Sequence, residues 1–510
     1  MPQVAALTVI LAAWLPAASG FLLPVLPAST VASTPASWGA RGKFSLSTMS
    51  LFPDGSGVTG AVTRSSGKIT VVPPSELDNS DAFVLDTMTL RVPVKIIGRT
   101  IEYNKADLPT EACEGMAQLQ ADMLDDAKVV ALTKGPHVAS WNQALKPYLD
   151  AGSTWKQLPW YVAETYVYHR LLEATGFWEE GAKGQGFDIF AKEKAEALQQ
   201  VLPQVAVRMN MCMQATGQWT PATFRSLLHM ALWGNQGDSS LFTVSEMSAK
   251  GGGEETTSGS RLLVDETDFV FAHLDATLDS SSSEVHMFND NSGMEIVSDL
   301  ALVHFLLSSG KVAKVVLHLK PYPFFVSDAI DTDIAHTLAV LKESAEASQV
   351  KVAQDLEAFL DTGRLALTTS GAINQMLASP EPMWCMPEAP RKELSDGKVA
   401  LVICKGDLMY RKLLGDRTWN TNESFQDVVS YFPSPVLALR TCKSPLAVGI
   451  SASQAQALSE SSPDWMVNGE YGMIQFSLPP PAASVSASLN RFEVGFDSAA
   501  VEKQWKVVAE

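Results

Sequence analysis

The segment VHMFNDNSGMEIVSDLALVHFLLSSGKVAKVVLHL, residues 285–319, decides the fold because it contains a strand, a helix and a second strand in that order. Val285–Phe288 and Val312–Leu319 are apolar runs of strand length. Between them, Met294–Ser308 has helical length and composition, and the helix is expected to end near Gly310. Strands that alternate with helices predict a mostly parallel sheet with helices on both faces.

The same alternation continues toward the C-terminus, whereas the first half of the chain differs. Ile334–Leu360 repeats Ala and Leu at helical spacing, and Val399–Cys404 and Val436–Leu439 are two further apolar strands. From about Leu85 to Leu241 the pattern is mainly helical, without strand alternation. The sequence therefore predicts an α/β fold with a helical N-terminal region.

Changes in composition divide the chain into segments. Residues 249–260 are rich in Gly, Ser, Thr and Glu and have no apolar period, which is typical of a linker or surface loop. The predicted segments are a targeting or disordered segment at 1–55, a helical region at 56–248, the linker or loop at 249–260, an α/β/α domain at 261–480 that carries the candidate site, and a tail at 481–510.

The N-terminus has the composition of a targeting sequence. Val4–Leu15 is an apolar run of signal-peptide length, and residues 29–50 are rich in Ser, Thr and Ala. This order resembles the two-part presequences of algae with complex plastids, so we expect a plastid location, with cytoplasmic or secretory residence as alternatives. No later segment reaches 18 apolar residues without charge, so no membrane association is expected after processing.

Composition excludes several classes of function. The chain has 510 residues, of which 46% are hydrophobic and 18% charged, as in a globular protein with a large core. The net charge of −18 argues against binding to nucleic acid, which requires clustered Lys and Arg. The five cysteines are scattered and form no C-x-x-C pair, which favours neither a disulfide framework nor a zinc knuckle and is typical of a reducing compartment.

Polar residues follow each of the four predicted strands, where ligands of open α/β sheets gather. In chain order these residues are Asn289, Asp290, Asn291 and Ser292; Lys320, Ser327 and Asp328; Lys405, Gly406 and Asp407; and Arg440, Thr441 and Lys443. Taken singly, an Asp-Asn pair before a helix is usually an N-cap, a Lys after a strand is usually solvated, and an Asp after a Gly is usually a turn residue.

Taken together, these residues suit one chemistry. Asp290, Asn291 and Asp328 offer only oxygen ligands, which suit Mg²⁺ or Mn²⁺ rather than a structural zinc ion. The helix that begins near Ser292–Gly293 would direct free N–H groups toward an anion beside the metal. Lys443 and Arg440 would add positive charge during phosphoryl transfer.

In these motifs the chain resembles the damage-control phosphatase family, in particular its sugar-phosphate phosphatase subfamily, also described as acidic-residue methyltransferase-like. The matching segments are NDNSGMEIVSDL at 289–300, KPYPFFVSD at 320–328, KGDLMYRKL at 405–413, the R-T-x-K quartet RTCK at 440–443, RVP at 91–93, Trp155 to Trp160 with Glu164 and Tyr166, LWGN at 232–235 with Asp238, and Trp465 to Gly472. The resemblance covers about Leu90 to Phe476.

The resemblance implies a helical N-terminal region beside a three-layer α/β/α sandwich. It implies a divalent metal, Mn²⁺ first and Ni²⁺, Co²⁺ or Mg²⁺ as alternatives, bound by the residues that match Asp290, Asn291 and Asp328. It also implies hydrolysis of small phosphate esters such as fructose 1-phosphate and fructose 6-phosphate. The implied catalytic residues are the metal trio and Lys443, and the implied substrate-binding residues are the metal trio with Gly406, Asp407, Leu408, Met409, Tyr410, Arg440 and Lys443.

One departure from the family leaves other functions open. The family usually has Asn where this chain has Met409, and a thioether is a weak acceptor without a donor. The alternatives are methyl transfer from S-adenosylmethionine to protein carboxylates and a non-catalytic sugar-phosphate binder. A haloacid-dehalogenase-type site at Asp331-Thr332-Asp333 is disfavoured, because Asp331 lies well past the strand and Ala335 occupies the fifth position.

Overall fold

The computed structural model describes residues 82–235 and 261–479. The predictions for the targeting segment at 1–55, the linker at 249–260 and the tail at 481–510 lie outside the described residues. Within the described residues, no helix combines the length and apolar character needed to cross a membrane.

Residues 82–235 contain helices and no β-strand, as the sequence predicted. The first helix changes to the wider π form around Pro93, which has no N–H to donate to the preceding turn. The elements are α1 Ala82–Asp86, a π-helical segment Thr87–Ile97, α2 Gly98–Asn104, α3 Thr110–Leu124, α4 Val138–Ala151, α5 Trp160–Thr175, α6 Ala191–Gln200, α7 Leu202–Ala215 and α8 Pro221–Leu232, with 3₁₀ turns at Trp155–Gln157 and Trp233–Asn235.

Residues 261–479 form one seven-stranded sheet with helices between the strands. Its strands are β1 Leu262–Asp265, β2 Glu284–Phe288, β3 Lys314–His318, β4 Leu365–Thr368, β5 Val399–Lys405, β6 Val436–Thr441 and β7 Gly472–Ser477. The helices are α9 Thr267–Thr277, α10 Met294–Ser308, α11 Asp331–Lys342, α12 Ala347–Asp361, α13 Ala372–Leu377, α14 Glu388–Leu394, α15 Gly406–Leu414, α16 Phe425–Val428 and α17 Ala452–Ser461, with a 3₁₀ turn at Met383–Cys385.

The strand order is β1-β7-β6-β5-β2-β3-β4. Strands β2 to β6 run parallel, whereas β7 pairs antiparallel with β6 and β1 follows the direction of β7. The chain moves from β2 outward to β3 and β4, then returns to β5 on the other side of β2. The carboxyl ends of β2 and β5 therefore form the topological switch point, where α/β proteins bind ligands.

Each face of the sheet lies under its own apolar cluster. On one face, Phe288 and Val402 join a cluster that includes Phe432 and residues of α4 and α5. On the other face, Met287 and Ile403 pack against α7, α8, α10 and α12. The predicted three-layer sandwich with a mostly parallel sheet and a helical N-terminal region is thus confirmed, and helices from both halves of the chain supply the outer layers.

Two details differ from the sequence analysis. The single helix predicted over Ile334–Leu360 is two helices, α11 and α12. Between them, the Ser344 hydroxyl accepts a hydrogen bond from the Glu346 N–H at 3.1 Å, which competes with helical bonding. The strands β1, β4 and β7 were not predicted, because β1 and β4 have only four residues each and Gln475 interrupts the apolar run of β7.

Candidate active site

The site begins where β2 and β5 end side by side. Asp290 and Asn291 follow β2, and Gly406 is the first residue of α15 directly after β5. Gly406 has a φ of +80°, and a Cβ there would lie 1.8 Å from Asp290 Oδ2. Only glycine combines this backbone conformation with so close an approach, so the two strand ends fit together through Gly406.

Asp328 reaches the same point from the loop after β3. Asn291 and Asp328 form an isolated antiparallel bridge. The Ala329 N–H donates to the Asp290 carbonyl at 2.8 Å, and the Ser292 N–H donates to the Ser327 carbonyl at 2.7 Å. The structure therefore brings together all three predicted metal ligands, Asp290, Asn291 and Asp328, which we call the oxygen cluster.

The side-chain atoms of the oxygen cluster differ in whether they have hydrogen-bond partners. The Asn291 amide donates to Asp290 Oδ2 at 2.8 Å and to Glu295 Oε2 at 2.9 Å, while its oxygen accepts from the Ser327 hydroxyl. Asp328 is buried, yet within residues 82–235 and 261–479 its Oδ2 has no hydrogen-bond partner, and Lys320 Nζ lies 3.7 Å from it. A buried carboxylate oxygen without a partner is costly unless another ligand satisfies it.

The pKa shifts of the two carboxyl groups reflect the negative charge that is concentrated at the oxygen cluster. Burial raises the pKa of the Asp290 carboxyl well above its usual value, and the nearby Glu295 and Asp328 carboxylates raise it further. Burial also raises the pKa of Asp328, while Lys320 acts in the opposite direction. The site thus concentrates carboxylates in a place from which water is largely removed.

This donor set fits a hard divalent cation. Two carboxylates and an amide carbonyl are ligands that Mg²⁺ and Mn²⁺ prefer, and the unpartnered Asp328 Oδ2 is available to one. Asn291 would present its oxygen after rotation of the amide group, since its NH₂ faces Asp290 in the structure.

Two lysines that follow or end strands are buried, although a Lys in such a position is usually solvated. Lys320 is fully buried and donates to the Asn289 carbonyl at 2.9 Å. Lys405 is fully buried, 3.0 Å from Asp299 Oδ1 and 3.4 Å from Glu295 Oε1. Both lysines lie at the carboxyl end of a buried strand, and that position was the available signal. Their charges partly offset the carboxylates around the site.

A second group lies after β6 and orients Asp407. Asp407 Oδ1 accepts hydrogen bonds from Arg440 Nε at 2.7 Å, the Lys443 N–H at 3.2 Å and the Ser444 hydroxyl at 3.0 Å. The Arg440 guanidinium is fully buried, donates to the Ser444 carbonyl and lies 4.3 Å from the centre of the Tyr410 ring. Arg440 therefore holds Asp407 in place and does not face the crevice.

The remaining predicted substrate residues divide into two kinds. Leu408, Met409 and Tyr410 are buried in the apolar cluster, and the Tyr410 hydroxyl donates to Gln475 Oε1 at 2.8 Å. Lys443 is half-buried, and its charge lowers the pKa of Asp290. Of this group, Lys443 acts electrostatically on the oxygen cluster, whereas the side chains of Leu408, Met409 and Tyr410 lie in the core.

Helix α5 of the N-terminal region also contacts this part of the molecule. Arg411 of α15 forms a salt bridge of 2.6 Å with Glu164 and lies 3.7 Å from the centre of the Trp160 ring. The sequence analysis matched Trp160 and Glu164 to the family without assigning them a role. Their contacts show that α5 supports the helix that begins at Gly406.

The chain is similar to known proteins of one family. A profile of the Damage-control phosphatase ARMT1-like domain matches residues 92–458. The Damage-control phosphatase ARMT1 of Danio rerio is 29% identical over 417 residues, which cover 74% of this chain and 88% of the relative. That of Mus musculus is 30% identical over 393 residues, which cover 71% of this chain and 86% of the relative.

Among solved structures, a DUF89 family protein from Pyrococcus horikoshii is 12% identical with a TM-score of 0.36, over 75% of this chain and 96% of that chain. This similarity is too weak to support an argument. The profile match, in contrast, spans more than half of the chain, and the mouse relative aligns over more than two thirds of it. The chain therefore belongs to the Damage-control phosphatase ARMT1-like family.

Proposed function

We propose that this protein is a metal-dependent phosphatase that hydrolyses sugar phosphates such as fructose 1-phosphate and fructose 6-phosphate. Membership of the family supports phosphatase activity on small phosphorylated metabolites in metabolite repair. The requirement for a metal rests on one observation above all. The buried Asp328 Oδ2, close to the Asp290 carboxylate, has no hydrogen-bond partner in the part of the chain that the structure describes.

The oxygen cluster would hold the ion, with Mn²⁺ expected first and Ni²⁺, Co²⁺ and Mg²⁺ as alternatives. When bound, such an ion supplies positive charge that polarises a phosphoryl oxygen and offsets the charge that develops during transfer. Lys320 lies on the buried side of Asp328, so it orients this carboxylate without occupying the crevice.

The chain's own residues would bind the phosphate at the switch point. Helices α10 and α15 both begin there, and the first N–H groups of a helix have no partner within it. Lys443 adds a flexible positive charge on the side of β6. Together these groups would fix the phosphoryl group so that water can attack phosphorus in line. The ester P–O bond would break, and the sugar oxygen that leaves would take up the proton that the water releases.

Asp407 would act on the sugar side of the bond. Its Oδ1 is held by three donors, and Oδ2 is left to accept a hydrogen bond from a sugar hydroxyl or a proton. Met409 lies in the core, so its difference from the family's Asn acts on the packing of α15 before it acts on the sugar.

The test is an assay of the full-length protein for phosphate release from a panel of sugar phosphates. Protein treated with EDTA is supplied with Mn²⁺, Ni²⁺, Co²⁺ or Mg²⁺ in turn. We expect release that depends on the metal and ranks the fructose phosphates among the best substrates. Folded protein that binds metal yet releases no phosphate would contradict the proposal, and transfer of methyl groups from S-adenosylmethionine would then be measured.

A further inference from the structure

A second cluster of metal-ligating side chains lies on the sheet itself, away from the switch point. His286 of β2 and His318 of β3 are on neighbouring parallel strands and point to the same face. His286 Nδ1 and His318 Nε2 are 2.9 Å apart. Together with Glu284 of β2 and Glu393 of α14 they form what we call the imidazole cluster.

Three members of this cluster converge as metal ligands do. His286, His318 and Glu393 each offer one ligand atom, and these atoms all lie within 4.8 Å of one another. Two nitrogens bound to a tetrahedral zinc ion at about 2.0–2.1 Å are about 3.3 Å apart, so an ion requires only a small separation of the two rings.

The hydrogen bonds of the histidines leave one nitrogen unsatisfied. His286 Nε2 lies 3.4 Å from Glu284 Oε2, so Nδ1 is the nitrogen that faces His318. His318 is 1% exposed, and its Nδ1 has no hydrogen-bond partner among the described residues. If His318 carried its proton on Nδ1, that buried donor would be unpaired, so Nε2 bears the proton that an ion would replace.

The charges around the cluster are also those of a metal site. Burial lowers the pKa of His286 and lowers that of His318 well below its usual value, which favours the neutral ring whose lone pair binds a metal ion. Burial and the nearby Glu284 carboxylate raise the pKa of Glu393. Lys314 is the positive charge in the neighbourhood, and it lowers the pKa of both histidines and of Glu393.

We propose that the imidazole cluster is a second metal site, which binds a borderline ion such as Zn²⁺ through the two histidines and Glu393. Two nitrogens and one carboxylate oxygen form a common ligand set for zinc, with a fourth position open to water. Glu284 would accept a hydrogen bond from His286 and fix the orientation of its ring, as outer carboxylates do at zinc sites.

The cluster can be reached from solvent, although both rings are buried. Glu393 is exposed on α14, and the Glu284 side chain is 24% exposed at the start of β2. An ion would enter between these two carboxylates. The oxygen cluster, in contrast, lies beyond the carboxyl end of β2, and its ligands favour harder ions.

The test uses Zn²⁺ alone as the probe, added to full-length protein that has been stripped with EDTA and desalted. Affinity and stoichiometry are measured by competition with a chromophoric chelator. We compare the wild type with Asp328→Asn, which weakens the oxygen cluster, with Glu393→Gln, which changes a surface ligand, and with Glu388→Gln, a matched control at an exposed position on the same helix.

We expect Asp328→Asn to retain one tightly bound Zn²⁺ and Glu393→Gln to bind that ion about 100-fold or more weakly, with Glu388→Gln unchanged. Co²⁺ in place of Zn²⁺ should give visible absorption bands typical of nitrogen ligands, and these bands should change in Glu393→Gln. If Asp328→Asn binds no Zn²⁺, or if Glu393→Gln and Glu388→Gln bind it equally, the proposal is wrong. Either result leaves metal-dependent phosphate release as a separate observation.

Discussion

The oxygen cluster and the imidazole cluster belong to the same two strands of one sheet, β2 and β3, yet they differ in position and in ligand chemistry. The oxygen cluster lies in loops at the switch point. Its residues come from two separate segments, and Gly406 of a third packs against Asp290. The imidazole cluster has both rings within β2 and β3, where strand register alone brings them together. The order of the strands and the loops that follow them create the oxygen cluster, whereas the pairing of β2 with β3 brings the two imidazole rings together.

This difference bears on what each site can do. Loops at the end of a sheet can place helix N-termini and a flexible lysine around a substrate, so the oxygen cluster suits chemistry. Side chains within paired strands have little freedom, so the imidazole cluster suits an ion that stays in place. The following variants separate the two sites, beginning with the largest expected effect.

Replacing Asp328 with Asn should lower metal-dependent phosphate release by about 10³-fold, because it removes one charge from the metal ligands. Asn has the same shape, and it removes a buried carboxylate oxygen that has no partner. The metal-free variant should therefore unfold at least as late as the wild type in urea. Activity close to that of the wild type, at saturating Mn²⁺, would sink the assignment of Asp328.

Replacing Gly406 with Ala should lower activity by about 10²-fold, because an added Cβ would lie 1.8 Å from Asp290 Oδ2 and the residue has φ of +80°. Zn²⁺ binding at the imidazole cluster should not change. Gly397→Ala is the matched control, since a Cβ at that exposed position would meet no atom within 4 Å. Equal kcat values for the two variants would show that the contact with Asp290 is unimportant.

These contacts also show what the sequence could reveal. Asp290, Asn291, Asp328 and Gly406 were found because each follows a recognisable apolar strand, and ligands gather at strand ends. The switch point between β2 and β5 could not be predicted, since it depends on the order of all seven strands, three of which were not predicted.

Other residues acquire their roles only from distant partners. Lys405 is buried because Glu295, Asp299 and the Ala231 carbonyl surround it, and no local sequence pattern predicts these contacts. Arg440 was expected to meet the substrate, whereas its guanidinium is enclosed by the loop that follows it and by Asp407. His286 and His318 had no predicted role, because their contact exists only in the observed register.

The two clusters should respond oppositely to pH in metal-free protein. The pKa values of Asp290 and Asp328 are raised in the folded state. Their contribution to the free energy of unfolding therefore falls as pH rises above the unfolded Asp value of about 3.9. The pKa values of His286 and His318 are lowered in the folded state. Their contribution to the free energy of unfolding therefore falls as pH falls below the unfolded His value of about 6.5.

Urea unfolding in EDTA, from about pH 5 to about pH 8, measures both effects. The stability of Asp328→Asn relative to the wild type should grow as pH rises. That of His318→Gln, which cannot take up a proton, should grow as pH falls. If the stabilities of both variants relative to the wild type change in the same direction with pH, the opposite pKa shifts inferred for the two clusters are wrong.

The smallest expected effect concerns Glu284, which lies 3.4 Å from His286 Nε2 and is not one of the three convergent ligands. If it only orients the ring, Glu284→Gln should weaken Zn²⁺ binding by about 10-fold, since a glutamine oxygen still accepts the hydrogen bond but lacks the charge. Phosphate release with Mn²⁺ should stay at the wild-type rate, because the oxygen cluster is untouched. A loss as large as that in Glu393→Gln would make Glu284 a ligand, and no loss would show that the contact with the His318 ring alone holds the ring of His286.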